Sequence, residues 1–268
     1  MIRQPISRRL SRWLSLGSIL ALLAGYTWIS QRQQRINPTD TTLPGWGQIA
    51  EGVRVLWGPN HRSGERWLLD DIKASGGRFV IGLTLGAGAG IFLGLLMGTL
   101  PAAEAFLQPP LALLAQVPPT AALAVFFVLA GTGDAMFIAM IAIGILPALA
   151  MSVYLATKEF PEELLYKAYT LGASHAEVVW NILVRQVLPR LLDALRLSVG
   201  PAVVYLIAAE MVVGDVGFGY RIRLQSKLLN MNVVYPYLAL LAGFGFAADW
   251  GLRRLRRYWC PWADGGRI

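Results

Sequence analysis

Glu210 stands inside the apolar run Leu197–Val213, and an acid placed there is a candidate for gating, packing or ion coupling because burying its charge is expensive. Gly214, Asp215, Gly217 and Gly219 follow it and mark an irregular exit from the run. Pro118 and Pro119, with Thr120, lie near the middle of another run, Leu111–Ala130. Neither proline donates a helical hydrogen bond, so carbonyls are freed there, and at membrane depth they need protein or water beside them. Such a break lines a substrate path or serves as a packing kink. Glu104 and Asp134 map to turns, Asp249 to the end of the last run, and His61 and His175 to connections. The sequence holds no G-x-x-x-x-G-K-[ST], no H-E-x-x-H and no G-x-S-x-G, so neither ATP hydrolysis nor hydrolase chemistry is expected of this chain. The single Cys260 excludes an internal disulfide and metal-cluster spacing.

The elements that must position these residues are membrane helices. Of 268 residues 55% are hydrophobic and 15% charged, with a mean hydropathy of +0.50. Between Phe79 and Thr157 no Lys or Arg occurs, and Glu104 and Asp134 are the only acids. A crossing takes about 20 apolar residues, so this stretch has room for three. Further runs at Trp13–Ile29, Leu197–Val213 and Tyr235–Trp250 bring the expected total to six, divided within the first stretch as Phe79–Leu100, Leu111–Ala130 and Ala135–Ala156. All should be helices, since an open sheet edge finds no partners in lipid. The first run is longer than a typical signal-peptide core, and Tyr26-Thr27-Trp28 is not a small-residue cleavage site, so it is expected to be an uncleaved anchor.

The net charge of +8 is spread over segments that flank or connect the apolar runs, which suits juxtamembrane anchoring and argues against nucleic acid as a partner. With six crossings the two termini and the segment Lys158–Arg196 share a side. That side carries 14 basic residues against 10 on the other, with Arg8/Arg9/Arg12 and Arg253/Arg254/Arg256/Arg257 set beside spans. The positive-inside rule then makes it cytoplasmic. The resulting organisation is a cytoplasmic tail over 1–12, a first helix over 13–30, a connection over 31–78, a core over 79–252 with a loop at 158–193, and a basic tail over 253–268. The 31–78 connection reads as extended and solvated, with Trp46, Trp57 and Trp67 at the membrane interface.

Gly82, Gly86, Gly90, Gly94 and Gly98 recur every four residues and leave one helix face bare, which favours close packing within the chain over a subunit contact. The segment Pro161–Pro189 reads as two short helices joined at a glycine. Pro161, Glu162 and Glu163 suit a first turn, Gly172 a stop, and Ser174 the next cap. Ala168 and Gly172 leave room for a partner, and the segment carries more apolar residues than a solvated loop needs.

This segment resembles the EAA loop of ABC importer permeases, whose pattern is Glu-Ala-Ala, three residues, Gly, nine residues, then Ile-x-Leu-Pro. Ala168, Gly172 and Ile182 match its spacing, Leu171-Gly-Ala173-Ser174 a frequent wording, and Pro189 a second proline often found there. The motif's glutamate is replaced by Tyr166, its first alanine by Lys167 and its first proline by Arg185. Val117-Pro-Pro119, Ala208-Ala-Glu210, Gly217-Phe-Gly219 and the closing Leu-Arg-Arg-Tyr-Trp-Cys-Pro-Trp262 also look family-like, most similar to the nitrate, sulfonate, taurine and bicarbonate branch.

The resemblance implies an all-α, type I importer permease of six helices in the bacterial inner membrane. Two permease copies would form the path, two ATP-binding subunits would hold ATP and Mg and power it, and a periplasmic binding protein would deliver a small anion. The chain itself would bind no cofactor. The helix around Glu163–Leu171 would dock on the ATPase. Since no Lys or Arg lies within 79–157, solute specificity is expected mainly in the binding protein. The alternative, a self-sufficient ion-coupled secondary transporter, would rest on Glu210 alone.

Overall fold

Every regular element among the described residues is helical in the computed structural model, which describes residues 7–38, 40–59, 64 and 66–264. His61 and Glu65 lie outside them. Among the described residues five helices have the length and apolarity to cross a membrane. They are α1 (Arg8–Ile36), α3 (Trp67–Thr99), α6 (Asp134–Lys158), α9 (Val184–Val213) with the short turns that lead into it, and α11 (Met231–Trp259).

The sixth expected span, Leu111–Ala130, is not one helix. A helix α4 (Pro101–Leu114) stops, residues 115–122 turn irregularly, and α5 (Leu123–Ala130) runs eight residues to Gly131 at φ 74°. Pro118 and Pro119 cause the break, because they lack N–H groups and push the residue before each out of the helical region. Glu104 is likewise not in a turn but in the first turn of α4, whose N-terminus begins at Pro101.

The described residues fall into two compact units. One comprises those of Met1–Trp67 with Leu224–Leu238. Here the expected extended connection is corrected: the chain after α1 folds back and forms α2 (Trp46–Trp57). Tyr26 Oη donates to Pro44 O at 2.6 Å, and Gln48 Oε1 accepts from Gly45 N at the start of α2. Trp46 is not a free interface anchor, since its Nε1 donates to Thr27 Oγ1 and its ring meets Tyr26 edge-on. Gly52 and Leu56, four apart, form the buried face of α2, and a Cβ on Gly52 would lie 1.9 Å from Asn232 O.

The other unit comprises Leu68–Arg223 with Ala239–Ile268, as far as these are described. Its centre is α6, half buried along its most apolar stretch. Met136, Phe137, Met140, Ile141 and Ile145 of α6 pack with Phe79 of α3 and with Val199, Ala202, Leu206 and Ala209 of α9. The glycine stripe of α3 lies against α6 within the same chain. A Cβ on Gly82 would meet Ile141, on Gly86 the Ala142 backbone, on Gly90 Leu146 O and Leu149, on Gly94 Ala150 O and Val153, and on Gly98 Thr157. Bare backbone allows that approach, and van der Waals contact between helices replaces the hydrophobic drive absent in lipid.

The two ends of α6 are tied by charge. Asp134 pairs with Arg78 at one end, and Lys158 pairs with Glu104 at the other, where Tyr154 Oη also donates to Glu104. Residues 134 and 158 are separated by about 36 Å at 1.5 Å per residue, close to the roughly 30 Å of a hydrocarbon core. The Lys158 ammonium and Tyr154 hydroxyl hold the Glu104 carboxyl below the usual range.

Candidate functional site

Beyond Lys158 the chain forms the loop that the sequence singles out. Helix α7 (Glu162–Thr170) starts after Pro161 with Glu162 and Glu163 in its first turn, where acids complement the exposed N–H groups. It ends on Gly172 at φ 86°, with Gly172 N donating to Tyr169 O and Ala173 N to Ala168 O. These two bonds form a Schellman cap, which needs a left-handed residue. Ser174 then caps the next turn, α8 (His175–Glu177), reciprocally with Glu177. A π turn, Val178–Leu183, leads into α9.

The cap decides which side chains face out. Ala168 and Pro189 are buried inside the chain and Ile182 is half-buried, so Ala168 is not the open approach for a partner that its spacing suggests. Leu164, Tyr166, Tyr169 and Leu171 stay exposed, Leu171 at 88%, together with Trp180 at 67%. Glu163 and Lys167 flank them, also exposed. Gly172→Val should therefore cost about 1–2 kcal/mol locally and raise proteolytic cleavage within 162–183 roughly ten-fold, while Gly172→Asn should raise it far less; equal cleavage of both variants would contradict the cap.

A second candidate region surrounds the broken helix. Pro119 is half-buried, whereas Pro118 and Thr120 are exposed. Pro119 and Tyr205 of α9 both approach Gly144 of α6, beside a cavity of about 140 Å³ lined also by Val117 and Pro147.

Glu210 belongs to neither region. It is 0% exposed at the C-terminal end of α9 and is fully engaged within the chain. Arg78 Nη1 reaches its Oε1 at 2.9 Å, Ser75 Oγ donates to it at 2.8 Å, and Gly219 N donates to Oε2 at 2.9 Å. Arg78 also donates through Nε to Asp134 and through Nη1 to Val216 O, with its guanidinium 4.2 Å from the Phe137 ring centroid. Next to this pair, buried Asp71 accepts from Arg221 and from Gly217 N, and Phe218 N donates to Ser75 Oγ. Helix α10 (Phe218–Lys227) thus starts on a patch of oxygen acceptors, which its N-terminal dipole favours.

The sequence places Asp71, Ser75 and Arg78 in a connection expected to be solvated, whereas the structure buries them on one face of α3. Their spacing carried the missed signal: stepping back from Gly82 by helical intervals gives Arg78, Ser75 and Asp71, the same buried face. With its charge compensated by Arg78, beside the Asp134 end of α6, Glu210 lacks the features of a free ion-coupling acid at the bilayer midplane.

The site is thus a membrane helical bundle with a capped, apolar two-helix loop between spans, and comparison with known proteins gives its class. The chain belongs to the binding-protein-dependent transport system inner membrane components, whose family model matches residues 86–258. It is 31% identical over 260 residues to the taurine transport system permease protein TauC of Escherichia coli (strain K12), covering 97% of this chain and 92% of that protein. It is 28% identical over 202 residues to the putative aliphatic sulfonates transport permease protein SsuC of Bacillus subtilis (strain 168), covering 75% and 72%. The MetNI methionine ABC transporter in an inward-facing conformation shares the fold, with a TM-score of 0.61 at 22% identity over 72% of this chain and 96% of that one. The chain is therefore a multi-pass membrane permease subunit of an ABC importer, not an enzyme, and its family works with a separate ATPase and a solute-binding protein.

Proposed function

We propose that two copies of this chain form the path of an importer for a small sulfonate or related anion, and that the exposed face of α7 and the following turn docks the ATPase that binds ATP and Mg. The observation that carries this reading is the set of large apolar side chains left in the open on a well-capped loop, with Leu171 at its apex. A loop meant only for solvent has no reason to hold Leu171 and Trp180 outward, whereas a docking face does. Glu163, Tyr166, Lys167 and Leu171 would contact the partner; Gly172, Ala173 and Ser174 would set the angle; Ala168, Ile182 and Pro189 would seat the loop on its own chain. The termini would be cytoplasmic, beside the same loop, with Arg253–Arg257 near lipid headgroups. Solute would pass along the Pro118–Pro119–Thr120 break, where the irregular backbone borders a cavity lined by Val117 and Pro119. The taurine, sulfonate and nitrate permeases among the relatives support a sulfonate or other small anion as cargo.

The test is affinity capture of the tagged chain from its native membrane. The wild type should bring down an ATP-binding subunit, and Leu171→Asp, which alters an open surface position, should lose most of it while keeping its own yield and melting behaviour. Equal recovery with both chains would place the docking face elsewhere.

A further inference from the structure

Helix α9 begins at the coupling loop and carries Glu210 in its last turn, so one helix of 30 residues, about 45 Å long, joins the two regions. At its far end three successive N–H groups, those of Gly217, Phe218 and Gly219, are taken by Asp71, Ser75 and Glu210. Arg78 links Glu210 to Asp134 at the start of α6 and to the carbonyl of Val216. Both oxygens of each buried carboxylate have donors within the chain, so opening the cluster would strand charge in a site without solvent access. The cheaper places to bend are the proline break at 115–122 and the π turn at the other end of α9.

We propose that Arg78 and Glu210 are positioning residues for transport: they fasten the ends of α3, α6 and α9 and the 214–219 loop into one block. The block stays closed through the cycle and carries a displacement of the coupling loop along α9 to the opposite end of the bundle. This rests on the ATPase-coupled reading above. The ion pair touches no solute; it acts by keeping α9 and the loop from slipping relative to α3 and α6.

Two measurements on the intact transporter, with its ATPase and binding protein, test it. In vesicles, Glu210→Gln keeps the shape and an acceptor for Gly219 N but removes the charge that holds Arg78. Uptake per ATP hydrolysed, probed with taurine, an alkanesulfonate and nitrate, should fall ten-fold or more, and Arg78→Lys, which retains the charge, should fall less. An unchanged ratio in Glu210→Gln would overturn the proposal. In the wild type, amide exchange of Gly217–Gly219 should agree within two-fold between nucleotide-free and ATP-vanadate-trapped complexes. A ten-fold rise in either state would overturn it as well, and this measurement decides alone if the variants do not assemble or no probe is taken up. Absence of any ATPase from the wild-type complex would instead refute the proposed function.

Discussion

Arg78→Met should be among the most damaging substitutions in the chain, lowering stability by about 3–5 kcal/mol because it leaves the Glu210 carboxylate buried without its counter-charge. Arg78 is itself nearly enclosed, with its guanidinium spread over Glu210, Asp134, Val216 O and the Phe137 ring, so one truncation loosens three helices and a loop. In detergent the melting midpoint should fall by about 10 °C, on the scaling for chains of this size. Combining Arg78→Met with Glu210→Gln should recover more than half of that loss, since the neutral amide no longer needs a counter-ion and still accepts from Gly219 N. Asp134→Asn should cost little, because Asp134 is 69% exposed and its charge is largely hydrated. A double-mutant cycle in which the two buried substitutions simply add would refute a coupled pair.

The second large effect concerns the packing of α3 on α6. A Cβ at Gly86 would lie 2.6 Å from Ala142 O and 2.8 Å from its Cα, backbone atoms that cannot move aside without parting the helices. Gly86→Ala should therefore destabilise the chain by about 1–3 kcal/mol through overpacking. Gly88, two residues on, has nothing within 4 Å of the same atom. Gly88→Ala should be neutral or stabilising by about 0.5–1 kcal/mol, as the backbone freedom of glycine is removed at no steric cost. Thermal unfolding of the two variants side by side checks this, and similar losses in both would mean that the stripe does not pack as described.

The loop at 162–183 shows where pattern reading is strong. Gly172 and Ser174 were legible as stop and cap because a left-handed C-cap and a side-chain N-cap are demanded by the local backbone alone. The glycine period of α3 was legible for a similar reason, since spacing by four on a helix keeps residues on one face wherever the helix ends up. The break at Pro118 and Pro119 follows from their missing N–H groups, though the irregular stretch reaches from 115 to 122, farther than two prolines specify.

Other features were hidden because they depend on long-range neighbours. The spacing of Asp71 and Arg78 back from Gly82 shows that they share a helix face, but not what that face meets; their burial exists because α3 starts at Trp67 and brings them against Glu210 and Arg221, more than 130 positions away. The fold-back that makes α2 is invisible for the same reason, as its buried Gly52 is matched by the backbone of Asn232. Ala168 shows the converse case. Its small size signals close approach, but only the packed chain shows that the close neighbour lies within the molecule.

The sequence by itself determined the solvent this chain lives in, the helical periods, the two caps and the proline break, because each follows from hydrogen bonding and steric limits within a few residues. Tertiary structure alone decided that Glu210 is paired, that α3 carries its polar face into the bundle, and which apolar side chains of the loop remain outward. Those outcomes depend on which surfaces meet and on which charges can be shielded from water together.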